Sequence, residues 1–178
     1  MSLAPPQGVW WKPVNKQEKL WVTISFVWCI FMFVAMVGWY FVGETNVPTN
    51  TRRVTIEQFA LETQDFVEQY QTGEENGIPV VSPPPGDIYL LGRQWQWYPI
   101  LELQKDRVYK LHLSSTDVQH GFSLQPLNLN FQVLPTQDYI LTFIPTTAGE
   151  YRILCNEFCG GVEVIGHHTM SGKIVVKE

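Results

Sequence analysis

Two cysteines, paired histidines and a methionine crowd the last quarter of the chain, in Cys155-Asn-Glu-Phe-Cys159 and His167-His168-Thr169-Met170. A further histidine stands upstream, in Asp117-Val-Gln-His120-Gly-Phe. Thiolate, imidazole and thioether are soft donors, and as a set they select copper or zinc over magnesium or calcium. The thioether favours copper, because a structural zinc site has little use for one. Blue copper takes one cysteine, two histidines and a weak axial methionine, so the second cysteine argues against it. Two thiolates could instead bridge two copper ions and spread one electron over both. Outside the cytoplasm the ordinary fate of two such cysteines is a disulfide. The imidazoles and thioether beside them weigh against that fate.

Such ligands need a rigid frame, since a redox site that barely rearranges wastes little energy on reorganisation. From Asp87 onward the hydrophobic period is two, and residues 88–91, 93–98, 107–113, 139–144, 151–154 and 173–176 read as strands. Turn-forming stretches such as Pro135-Thr-Gln-Asp138 and Pro145-Thr-Thr-Ala-Gly149 separate the later ones. Tyr109, Leu111 and Leu113 alternate with Val108, Lys110 and His112, the pattern of a half-buried strand, which leaves His112 a structural role. Six or seven short strands within residues 87–178 predict a sandwich or barrel. Cys155 follows a strand, His167 and Met170 precede the last one, and His120 enters from an inter-strand loop. The ligands therefore converge on one end of the scaffold.

The N-terminal part has another logic. Residues 20–43 are 24 in a row without a charge, enough at 1.5 Å per residue to cross a hydrocarbon core of about 30 Å. Trp21 near one end and Trp39-Tyr40 near the other match interfacial aromatic belts. The stretch is too long for the apolar core of a signal peptide and apolar on every face, unlike a buried helix of a soluble domain. Cys29 lies inside it as a small packing residue. Lys12, Lys16 and Lys19 flank the N-terminal side, so the positive-inside rule sets the N-terminus in the cytoplasm and residues 44–178 outside.

Past the span, Thr55-Ile-Glu-Gln58 forms a capping box opening a short helix, with Gly73 as its stop. The proline-rich residues 78–86 read as a linker without regular structure. The chain thus divides into an N-terminal segment 1–19, a transmembrane helix 20–43, a helix and linker 44–86, and a β-domain 87–178. Of the 17 acidic residues 16 lie beyond Gly43, against 9 of the 12 basic ones, a formal charge of −7. That field speaks against nucleic acid and favours basic partners, although a modest acidic surplus also simply keeps a domain soluble.

Together these motifs resemble subunit II of haem–copper cytochrome c oxidase, the subunit carrying the dinuclear CuA centre. The family pattern is Asp-x-x-His, then Cys-x-Glu-x-Cys-Gly, His-x-x-Met and a final Gly-x-Ile-Val strand. It falls here on Asp117–His120, Cys155–Gly160, His167–Met170 and residues 172–176. A single membrane helix, with Glu18-Lys19-Leu20-Trp21 at its start, is similar to the shorter B-type branch. The resemblance implies an all-β Greek-key sandwich of cupredoxin type behind one N-terminal transmembrane α-helix. It implies a plasma-membrane protein of a bacterium or archaeon, with its copper domain on the outer face.

Carried over residue by residue, Cys155 and Cys159 would bridge two copper ions. His120 and His167 would ligate one copper each, Met170 would be a weak thioether ligand, and the backbone carbonyl of Glu157 would complete the set. Asp117 would support the His120 loop, or serve simply as a turn former. Gly160 would let the loop turn tightly. Trp95 and Trp97 resemble the aromatic stretch between electron donor and copper, with a place in the sandwich core as the alternative for either. Glu18 resembles a proton-uptake carboxylate, or is a flank charge paired with Lys12 or Lys19.

The implied partners are cytochrome c as donor, membrane lipid, small membrane subunits and a catalytic subunit I that holds all the haem and reduces dioxygen. No haem-ligating or oxygen-reducing site is evident in this chain. Two further readings stay open: a copper-free quinol oxidase subunit, and a disulfide-stapled, membrane-anchored binding module.

One departure from the pattern is marked. The family places three residues between the second cysteine and the histidine, and seven stand here, 160–166, with Glu163 at the usual histidine position. A four-residue insertion within 161–165 that loops outward leaves His167-x-x-Met170 at its normal spacing. His168 is the competing ligand, but only one residue then separates it from Met170. Val162, Val164 and Ile165 are apolar and would contact an electron donor or a neighbouring subunit, or else pack on their own domain.

Overall fold

A computed structural model describes residues 8, 13–43, 48, 50–127, 129–161 and 166–178. Lys12, Glu44 and the apolar insertion residues Val162, Val164 and Ile165, with Glu163 between them, lie outside the described residues. The chain forms two compact units, Met1–Thr45 and Asn46–Glu178.

Among the described residues the first unit holds one helix, α1 (Lys16–Val42). Asn15 caps it by accepting the Glu18 N–H at 2.7 Å, and Glu18 in the first turn meets the positive end of the helix dipole. The helix is long and apolar enough to cross a membrane, and its side chains, Cys29 included, are exposed all round.

The second unit is a two-sheet sandwich. Its elements are β1 (Asn50–Arg53), α2 (Ile56–Tyr70), β2 (Gln71–Glu75), β3 (Ile78–Val81), β4 (Gly86–Arg93), β5 (Gln96–Tyr98), β6 (Ile100–Gln104), β7 (Tyr109–Ser115), β8 (His120–Gln125), β9 (Leu129–Val133), β10 (Gln137–Phe143), β11 (Gly149–Leu154) and β12 (Ser171–Lys177). One sheet runs β1-β10-β7-β4-β5 and the other β2-β3-β6-β12-β11-β8-β9. Strands β4 and β7, β6 and β12, and β3 and β6 pair in parallel, whereas β11 pairs antiparallel with both β8 and β12. This is the cupredoxin-like arrangement behind one N-terminal apolar helix.

Side chains of both sheets meet in one core that includes Ile88, Trp97, Leu101, Leu111, Leu113, Phe122 and Ile153. Cys155, Cys159 and Met170 belong to the same cluster, so the soft donors sit at the end of the core rather than on the surface. Tyr109, Leu111 and Leu113 point inward and Lys110 outward, as the alternation demands.

Residues 78–81, expected within a linker, form β3 despite Pro79. β6 pairs only with Val80 and Val81, so the missing N–H of Pro79 falls where no ladder bond is needed on that side. Residues 93–98, expected as one strand, are broken by a turn at Gln94-Trp95. His120 opens β8 instead of sitting in a loop, and α2 ends at Tyr70, short of Gly73.

Helix α2 covers the outer face of the first sheet. Thr55 caps it by accepting the Gln58 N–H at 3.1 Å, and Phe59, Phe66 and Val67 are buried. Phe59 and Phe66 both pack on Tyr89 of β4. Beneath the helix lies a polar knot. Asp138, fully buried, accepts from Arg52 Nε at 2.6 Å and from His112 Nδ1 at 2.8 Å, and Arg52 also pairs with Glu62 of α2. His112 stacks on Tyr89 and reaches Asp87 with its other nitrogen at 3.2 Å. It is buried among Tyr89, Asp138 and Asp87 of the neighbouring strands, which alternation within its own strand does not reveal.

Burial pushes the His112 pKa down, but the carboxylates of Asp138 and Asp87 outweigh it and raise the pKa above 6.5. The protonated ring therefore stabilises the fold fully below the ordinary value, and that contribution fades as pH climbs through the raised value. Thermal unfolding of the solubilised chain is expected to show stability falling as pH rises above 6.5. His112→Asn should flatten this decline; an unchanged slope would refute the assignment.

Candidate metal centre

Strand register brings the candidate donors together. In the antiparallel pairs Leu154, the last residue of β11, faces Ser171 at the start of β12 and Ser123 in β8. Continuing that register, the stretch after β11 lies beside the beginning of β8 and just before β12. Cys155 N–H donates to the Met170 carbonyl at 3.4 Å. His120, the 155–159 loop and Met170 thus meet at one end of one sheet. Gly121 permits the close approach, since a Cβ there would lie 2.0 Å from Asn156 Oδ1 and 2.6 Å from the Glu157 nitrogen.

The two thiols are free, buried and 3.6 Å apart. Around Cys155 Sγ stand His120 Nδ1 at 3.9 Å and the Glu157 carbonyl oxygen at 3.2 Å. Around Cys159 Sγ stand His167 Nδ1 at 3.8 Å and Met170 Sδ at 3.7 Å. The cluster has two lobes, each with an imidazole nitrogen and a weaker donor, joined by the sulfur pair. The donor atoms of His120, Cys155 and Cys159 all lie within 4.8 Å of one another. His168 is exposed and makes none of these contacts. The Glu157 carboxylate turns away to Gln132 Nε2 at 3.3 Å.

The tautomer of His120 is set by Asp117. Its Nε2 donates to Asp117 Oδ1 at 2.8 Å, so the neutral ring carries its lone pair on Nδ1, the atom facing sulfur, and the protonated ring donates there to the Cys155 thiolate. Asp117 is itself held by the N–H groups of Val118 and Gln94, both at 2.6 Å, and by Ser115 Oγ at 3.2 Å. Burial works against the Asp117 carboxylate, but these donors and the imidazole keep its pKa below the usual value.

Burial likewise works against the Cys155 thiolate, yet His120, the Gly121 N–H and His167 outweigh it and bring the thiol down to about 6. Burial and the neighbouring Cys155 push Cys159 the other way. The pair by itself accommodates one negative charge comfortably and resists a second.

Trp97 is fully buried, its ring edge-on to His120 with centroids 5.9 Å apart and to Phe122 at 5.6 Å. It floors the site and cannot serve as a surface docking contact, which corrects that expectation for Trp97. Trp95 is half-buried in the Gln94-Trp95 turn and donates Nε1–H to the Gly160 carbonyl at 3.0 Å. Sequence reasoning missed Gln94, whose role rests on contacts between loops, and Phe158. Phe158 is 72% exposed against the His167 ring.

The longer ligand loop is pinched at its root. The Gly160 carbonyl accepts the His167 N–H at 3.0 Å, and Gly160 turns with φ +94°. A Cβ on Gly166 would lie 3.0 Å from Gly161 Cα, so the two α-carbons are within about 4.5 Å, near the 3.8 Å of directly bonded residues.

A curated relative, subunit 2 of cytochrome c oxidase from Thermus thermophilus, is 30% identical over 172 residues, 94% of this chain and 95% of that one. The chain belongs to the cytochrome c oxidase subunit 2 family. A second subunit 2 sequence from Thermus thermophilus is 36% identical over 92 residues, 51% of this chain and 65% of the relative. A haem–copper terminal oxidase dimer solved by cryo-EM includes a chain of the same fold, with TM-score 0.57 and 24% identity over 91% of this chain and 100% of that one. No family model matches.

Two expectations follow. Deleting residues 162–165 joins Gly161 to Gly166 and restores three residues between Cys159 and His167. The shortened chain should bind metal as the full one does, and a lost or altered visible spectrum would show that the insertion shapes the site. Asp117→Ala should lower copper affinity by about 10–100-fold in chelator competition by releasing the His120 tautomer; unchanged affinity would leave Asp117 a turn former.

Proposed function

We propose that this chain is the electron-receiving subunit of a respiratory terminal oxidase, taking electrons from cytochrome c and delivering them to haem in the catalytic subunit I. That partner would reduce dioxygen to water with proton translocation. His120, Cys155, Cys159, His167, Met170 and the Glu157 carbonyl would hold a dinuclear copper centre of the CuA kind. Such a centre, when bound, supplies a one-electron couple shared by two metals.

The donor spacing carries this reading. Atoms bound about 2.0–2.3 Å from one tetrahedral ion lie about 3.3–3.8 Å from each other. Neighbouring donors here are separated by 3.6–3.9 Å along the whole run from His120 through both sulfurs to His167 and Met170. Two lobes sharing two sulfurs suit two ions better than one. The soft set favours copper.

The residues of the chain do the rest. Asp117 holds the His120 proton on Nε2 so that Nδ1 stays available. Trp97, Phe122 and Met170 exclude water from one side of the thiols. Trp95 and the exposed Phe158, which touches His167, offer cytochrome c an apolar contact, and the acidic surplus beyond Gly43 suits a basic partner. The helix α1 would anchor the chain in a bacterial or archaeal plasma membrane, N-terminus cytoplasmic and second unit outside.

Reconstituting the reduced full-length chain with copper in detergent tests the reading. Two copper ions per chain are expected, with EPR hyperfine structure of one electron shared by two copper nuclei, and Cys159→Ser should abolish that sharing. Absence of copper uptake would favour the quinol-oxidase reading, and a Cys155–Cys159 cystine the stapled module.

A further inference from the structure

Gln94 lies in the turn between β4 and β5, on the sheet opposite the one that carries the thiols, and reaches both ligand loops at once. Its backbone N–H donates to Asp117 Oδ2 at 2.6 Å, while Asp117 Oδ1 holds the His120 imidazole. Its side-chain amide donates to the Cys159 carbonyl at 2.6 Å. Only the amide nitrogen can face a carbonyl oxygen, so the partner dictates which way the amide points. Trp95 repeats the grip, giving its indole N–H to the Gly160 carbonyl, the same oxygen that receives the His167 N–H.

We propose that Gln94 is a positioning residue that couples the His120 loop to the Cys159 loop, so that imidazole and thiol keep one mutual geometry; its role toward metal rests on the copper reading above. The two loops are far apart in sequence and come from different elements: His120 opens β8, while Cys159 lies beyond β11. Strand register aligns β8 with β11 as far as Leu154, but the five residues of the cysteine loop lie outside the ladder. A tie from the opposite sheet supplies the missing constraint. It acts at the Cys159 carbonyl, one peptide before the loop narrows to its neck at Gly160.

The chemistry requires glutamine in particular. Glutamate has the same shape but, ionised, sets oxygen against oxygen at the Cys159 carbonyl. Methionine fills a similar volume and has no proton to donate. Asparagine is one methylene short of the carbonyl.

The test compares the full-length chain with Gln94→Met and Gln94→Glu, reduced and solubilised in detergent. Without metal, hydrogen exchange read by mass spectrometry should quicken at least threefold in both 117–121 and 155–160, in either variant, with the thermal midpoint unchanged. This arm needs no copper, so it decides the coupling even if the native chain takes up none, an outcome that would sink the functional reading alone. Quickening confined to 93–96, or to a single loop, overturns the proposal. With copper, Gln94→Met should take up as many ions as the native chain, lose them to a Cu(I) chelator about tenfold faster and show altered hyperfine splitting. Native loss rate and spectrum in both variants would overturn the role toward metal.

Discussion

Two thiols 3.6 Å apart at the end of a hydrophobic core are an unstable proposition by themselves. They are close enough to oxidise to a cystine with a small movement, and too buried for both to ionise in comfort. Everything around them acts on these two tendencies. The carbonyl of Glu157, the imidazoles of His120 and His167 and the Met170 thioether surround the sulfurs with further nitrogen, oxygen and sulfur donors. The depressed Cys155 and elevated Cys159 express the same fact electrically: the pocket tolerates one negative charge, and a second needs a positive charge among the donors.

The sandwich contributes by making the ends of several strands coincide. Antiparallel pairing of β11 with β8 and β12 means that the end of one strand lies beside the beginnings of two others. A one-residue slip would turn every side chain to the opposite face, and the core forbids it, because Ile153, Phe122 and Ile174 would leave the interior. Hydrophobic burial thus fixes a site to which the core contributes no candidate donor beyond Met170 and the cysteines themselves. The opposite sheet enters through β4, β5 and the turn joining them: Trp97 beneath the His120 ring, Gln94 on the loop carbonyls.

The candidate donors were legible in the chain because spacing carries them: Cys-x-x-x-Cys, His-x-x-Met and an upstream Asp-x-x-His can be read without any knowledge of pairing, and the fold brings them together. Most of the apolar span and the alternation around Tyr109–Leu113 were equally plain. Three kinds of feature were hidden. The first is strands whose alternation mixes leucine with asparagine, as in β9, where Leu129, Phe131 and Val133 alternate with Asn130 and Gln132. The second is contacts made between distant elements: nothing near His112 announces that it will be buried against Tyr89 and Asp138. The third is breaks in a run of good strand formers, because Arg93 to Tyr98 reads as continuous until the turn at Gln94-Trp95 divides it and sends one tryptophan into the core.

Seven residues separate Cys159 from His167, four more than in the family pattern the motifs resemble. Lengthening the connection between Cys159 and His167 from three residues to seven raises the entropy of closure by about 0.8 kcal/mol if it behaves as a flexible chain. The hydrogen bond from His167 N–H to the Gly160 carbonyl contributes about 1 kcal/mol, of similar size and opposite sign. Because this bond and the Gly161–Gly166 contact lie at the root of the loop, the ligand-bearing backbone on either side meets the same boundary whether the chain between is short or long.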